Sequence, residues 1–125
     1  MKMQYLADGD QDCPLIRLCE FDLPEVNRLR AIFGALADGS RTEVVLHQEM
    51  PVECVDGCQL TLRVGWRDVG IADEGPQFEC VLTTEGWLDA AFFTQPFCEV
   101  MNTGKYQWLN ESGEVSLLLS PSGRW

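Results

Sequence analysis

Cys54 and Cys58 are the residues best spaced for chemistry in this chain of 125 residues. They flank Val55-Asp56-Gly57, and a three-residue hairpin with Gly57 in the left-handed region would make them cross-strand neighbours. Cβ atoms about 4.5–5.5 Å apart need only a small shift to form a disulfide or to offer two thiolates to zinc. A closed structural zinc site takes four ligands, and no second pair stands at such spacing. Cys13 and Cys19 are read as lying on a strand, while Cys80 and Cys98 stand alone. Plain thiols are the first expectation for Cys54 and Cys58, a redox-sensitive pair the second. No metal and no cofactor is expected.

His47 is the only histidine, so a Cys–His or Ser–His nucleophile system must use it, with an acid to orient it. Glu43 lies four residues away on the same strand face, too far along a strand to touch. Asp8, Asp10 and Asp12 alternate as at the start of a calcium loop. Cys13 and Cys19, however, occupy the positions where such a loop needs glycine and a bidentate glutamate. No glycine-rich phosphate loop follows a strand and opens a helix. No catalytic set is expected.

Aromatic residues offer binding instead. Trp66, Trp87 and Trp108 can line an apolar pocket between a sheet and its helices, with Arg63 or Arg67 holding an anionic ligand. Phe93 is either covered by a loop, such as the one carrying Phe97, or left exposed beside it, and Trp125 at the carboxyl end has no obvious burial. Phe93, Phe97 and Trp125 are candidates for a contact surface.

These residues depend on elements that the hydrophobic pattern outlines. In Gln59–Trp66, the residues Leu60, Leu62, Val64 and Trp66 alternate with Gln59, Thr61, Arg63 and Gly65. A strand with one buried face shows this period of two, and a slip of one residue would expose the whole apolar set. Leu15 to Phe21 predicts another strand, Arg41 to Gln48 a third, Phe78 to Leu82 a fourth, and Lys105–Leu109 and Val115–Leu119 the last two. Met3 to Ala7 adds a short edge.

The clearest helix runs from Leu23 to Ala37. Asp22 and Glu25 are spaced as a capping box, Pro24 sits in the first turn, and Val26, Leu29, Ile32, Phe33 and Leu36 recur at helical spacing. A second helix is predicted over Glu85 to Thr94; Pro96 forbids its smooth continuation, and Phe97 to Asn102 reads as a further turn of helix or as loop. On this second helix Trp87, Leu88, Ala91 and Phe92 share one face and Phe93 falls opposite. Consecutive strands in the middle of the chain read as an antiparallel meander. The expected class is α+β: one mainly antiparallel sheet of about five to six strands, two helices on one face, and a single domain over residues 1–125.

Twenty acids against nine bases give a net charge of −11 and a pI near 4.3. Such a field repels phosphate backbones and anionic lipid, so neither nucleic acid nor membrane is an expected partner. The first residues carry no apolar signal run, and six cysteines without one read as reduced thiols in the cytoplasm. The leading functional expectation is a non-catalytic module that binds a protein partner or itself. A small ligand-binding domain or enzyme comes second, and an acidic inhibitor or immunity-type protein that masks a basic partner comes third.

Overall fold

The computed structural model describes all of residues 1–125. It is an α+β protein with two mixed sheets rather than one antiparallel sheet. The first sheet takes β1 (Lys2–Leu6), β2 (Leu15–Cys19), β4 (Glu53–Cys54), β8 (Gln107–Asn110) and β9 (Ser116–Leu119), in the spatial order β4-β1-β2-β9-β8. The second takes β3 (Glu43–Val45), β5 (Gln59–Val64), β6 (Gly70–Ile71) and β7 (Gln77–Leu82), in the order β3-β5-β7-β6. Three helices accompany them: α1 (Leu23–Ala37), a single turn α2 (Leu46–Glu49), and α3 (Thr84–Glu99).

The organising strand sits where its alternation requires. Leu60 and Leu62 of β5 are fully buried, while Thr61 and Arg63 face outward. The expected meander is half right. β3 and β5 are antiparallel, but β5 and β7 run parallel, with Leu62 opposite Cys80. The connection from 65 to 76 carries the chain past β7's place to make β6, and β7 then inserts between β5 and β6. Alternation is the same for either direction, so the pattern cannot distinguish them; the connection decides.

Two local corrections follow from helical spacing. The strand expected to reach Gln48 stops at Val45, because Leu46 and Met50, four residues apart, both turn into the core. The second long helix does not end at Thr94 but continues through Pro96 to Glu99. Pro96 lies on the solvent side, where the carbonyl of Phe92 that loses its partner can bond to water. Phe97 beyond it is buried edge-on to Phe21, with ring centroids 6.5 Å apart. Burying that ring is worth about 1.5–3 kcal/mol, comparable with the roughly 3 kcal/mol an interior proline costs.

The first helix follows its sequence signals. Glu25 N–H donates to the Asp22 carboxylate at 2.8 Å and Asp22 N–H donates back to Glu25 at 3.0 Å, which completes the capping box. Val26, Leu29, Ile32, Phe33 and Leu36 are its buried stripe. The helices α1 and α3 pack antiparallel: Phe33 stacks on Trp87 at 5.7 Å, and Asn27 near the start of α1 bonds the Cys98 carbonyl near the end of α3. Both sheets and both long helices contribute to one apolar cluster.

The sheets are joined at a seam. Val115 N–H donates to the Ile71 carbonyl at 3.0 Å, bridging the edge of the second sheet to the approach of β9. Gly113 makes this approach possible, since a Cβ there would lie 2.3 Å from the Ile71 nitrogen. Gly113→Ala should therefore lower stability by about 1–3 kcal/mol through forced backbone displacement. Chemical denaturation should show the loss as a lower midpoint with an unchanged slope; an unchanged midpoint would mean that the seam is loose.

Candidate functional site

The side chains of α3 sort themselves by angle. At about 100° per residue, Trp87, Ala90, Ala91, Thr94 and Phe97 form one inward stripe, and all five are buried. Thr83 caps the helix by accepting the Gly86 N–H at 3.1 Å. With that stripe inward, Leu88, Phe92 and Phe93 are left 60%, 69% and 38% exposed. The rings of Phe92 and Phe93 meet edge-on at 6.4 Å. Leu88 and Phe92 were expected to share the buried face of Trp87. They do not, because the stripe runs on through Phe97 and is centred on Ala90 and Thr94.

Beside this ridge, α3 and the turn after β8 enclose a cleft of about 400 Å³. Phe93 and Trp108 supply apolar walls, and Asp68, Asp89 and Glu111 supply three carboxylates. Asp68 is held in place: one of its oxygens accepts from the Thr83 N–H at 2.8 Å and from the Thr83 hydroxyl at 2.9 Å. Gly86 leaves room for it, since a Cβ there would stand 2.6 Å from that oxygen. None of the three carboxylates takes part in an ion pair; those of the protein involve Lys2, Arg41, Arg63 and the N-terminal ammonium.

The pocket expected among Trp66, Trp87 and Trp108 is not formed. Trp66 lies beyond the end of β5 and is wholly exposed, Trp87 is fully buried in the core, and only Trp108 borders a cleft. Arg63 is engaged by Glu43 and Glu79 on the outer face of the second sheet, which raises its pKa through the Glu43 hydrogen bond first. Arg67 is exposed in the following loop. Of the three contact candidates, Phe97 belongs to the core and Phe93 to the cleft edge. Trp125 is half-buried, with its indole nitrogen enclosed, in a tail whose Gly123 carbonyl accepts from Arg17 of β2 at 2.8 Å.

Cys54 and Cys58 are not opposite one another in a hairpin. Val55–Gly57 forms a 3₁₀ turn with Asp56 at φ 53° and Gly57 at φ 75°. Cys54 pairs with Met3 in the first sheet, whereas Cys58 leads into β5 of the second. All six cysteines are free. Cys58 borders a second cavity, of about 330 Å³, together with Tyr5, Asp73 and Phe78. The Tyr5 hydroxyl donates to Asp73 at 2.7 Å and its ring lies 4.9 Å from that of Phe78. Burial pushes the Cys58 thiol up to about 11, so it stays protonated at neutral pH. His47 is on α2 and is not part of that wall. No three His, Cys, Asp or Glu side chains are placed to hold a metal ion.

Comparisons with family models, with curated proteins and with solved structures find no significant match to this chain. The site therefore rests on its own geometry. The ridge and cleft residues Leu88, Phe92, Asp68 and Glu111 are those the sequence did not single out. The spacing Trp87–Ala90–Thr94–Phe97 carried the signal for the first two, once the helix is allowed past Pro96.

Two measurements check this picture. The hydrogen bond to Asp73 raises Tyr5 to about 12, above its ordinary value of 10.0. A raised folded-state pKa means the bond supports folding fully below the unfolded value, and that support fades as pH rises through about 12. Phenolate absorbance should show one late-titrating tyrosine, and Asp73→Asn should bring it back toward the ordinary value. In native protein near neutral pH, an alkylating reagent should modify Cys13 and Cys54 well before Cys58 and Cys80, whose thiols burial raises to about 11 and about 12. Equal labelling would contradict the packing.

Proposed function

We propose that this chain is a non-catalytic protein-interaction module that docks through the outward face of α3. The observation that carries the reading is the exposure of Leu88, Phe92 and Phe93 on one helix whose other face is already fully used by the core. Scattered apolar residues on a surface need no explanation, but neighbouring large ones on a rigid helix cost hydration and favour a contact role. Trp66 and Val69 are also exposed, in the loop that holds Asp68 against the start of α3. Six free thiols suit a reducing compartment such as the cytoplasm, and no helix is long and apolar enough to cross a membrane.

A ligand-binding role is the second reading. The cavity lined by Tyr5, Cys58, Asp73 and Phe78 supports it better than the sheet–helix interface, which side chains fill.

Leu88→Ser with Phe92→Ser separates the two. Both residues are exposed, so folding stability should change by no more than about 0.5 kcal/mol. A photoreactive side chain at position 92 should cross-link a discrete protein in cells, or a second copy of the chain. The same label at position 88 should capture that product too, and should lose it once Phe92→Ser is added. Absence of any cross-link from either position would count against docking by α3 and shift the weight to the cavity.

A further inference from the structure

Resting on the docking reading above, we infer that α3 receives a basic segment of another protein, with an arginine or lysine entering the cleft between α3 and the turn after β8. Charge decides against a second copy as the occupant. An isologous dimer through this face would bring Glu85, Asp89 and Glu99 of one copy against the same set of acids on the other, with no base on the helix to offset them, on a chain of net charge −11. Like charges brought together at an interface are a strong penalty, while a positive partner gains both steering and contact.

The cleft is suited to a cationic side chain on three counts. Its lining includes two aromatic residues, Phe93 and Trp108, the side-chain type that attracts a cation. Asp68, Asp89 and Glu111 are free of internal ion pairs, so a guanidinium does not have to displace one. Asp68 is already oriented by Thr83, so its carboxylate loses little freedom on binding. The volume of about 400 Å³ is that of a small-ligand cleft, enough for one side chain and its stem. The adjoining ridge of Leu88 and Phe92 takes apolar residues of the same segment. An amphipathic stretch with basic and apolar residues alternating by helical or strand spacing fits both.

The probe is a short acetylated and amidated peptide of leucine and arginine, with a twin in which citrulline replaces every arginine. Citrulline keeps the shape and removes the charge. Binding is followed by ¹H–¹⁵N NMR of the full chain, reading the Trp108 indole and the Asp89 amide. The arginine peptide should bind and shift both signals, and the citrulline twin should bind at least tenfold more weakly. Raising salt from about 50 to about 500 mM should weaken the arginine peptide alone. Asp89→Asn with Glu111→Gln should abolish the difference between the peptides; both residues are exposed, and the unmodified protein supplies the test if that variant does not fold.

Equal binding of both peptides, lost in Leu88→Ser with Phe92→Ser, would overturn the basic-partner inference and leave docking by α3 standing. Shifts confined to other regions, or no binding of either peptide, would overturn it as well. A concentration-dependent dimer with shifts on α3 would replace it with self-association.

Discussion

Trp87 carries one hydrogen-bond donor into an apolar core, and that donor must be satisfied. Its indole N–H reaches the carbonyl of Arg63 at 3.0 Å, near the end of β5, while its ring stacks on Phe33 of α1. An unmade bond at such a site costs about 1–3 kcal/mol, and the ring itself buries a large area. One side chain thus ties the second sheet, α1 and α3 together. It also fixes the rotation of α3 about its axis. With Trp87 turned inward, helical geometry leaves Leu88, Phe92 and Phe93 no choice but the outside. The exposed ridge is a consequence of the core rather than an independent feature.

The local elements were legible because their signals are local. The capping box of Asp22 and Glu25 and the stripe from Val26 to Leu36 located α1, and the alternation of Leu60 and Leu62 set the inner face of β5. What escaped was non-local. The partner of Cys54 is Met3, some fifty residues away, and a hairpin over Val55–Gly57 looks equally good until the first sheet is known. The parallel pairing of β2 with β9 joins Leu15 to Ser116, a relation that no window of sequence contains. Pro96 misled for a different reason: its rule describes a cost, and Phe97 beyond it supplies a gain of similar size.

The candidate site divides along the same line. Phe93 was legible as an aromatic without an obvious burial place. Leu88 and Phe92 were placed on the wrong side by ending the helix too soon. Asp68, Asp89 and Glu111 look like ordinary surface acids along the chain. They acquire meaning only when the loop after β5, the first turns of α3 and the turn after β8 converge. Of the cationic residues that stood out by contrast, Arg63 is occupied by Glu43 and Glu79, and Arg67 lies exposed in the loop after β5. Composition marked the acidity correctly but gave no address for it.

The position of β9 has a bearing on biosynthesis. It lies between β2 and β8, one strand in from the edge of the five-stranded sheet, yet its residues, Ser116–Leu119, follow every other strand in the chain. As the nascent polypeptide leaves the ribosome, the hairpin of β1 and β2 is complete long before its neighbour exists. The free edge of β2, with Leu15, Ile16 and Leu18 along it, stays open to pairing with other chains during that interval. Aggregation of this protein is therefore a hazard of its synthesis, and it ends when β9 slides into the gap.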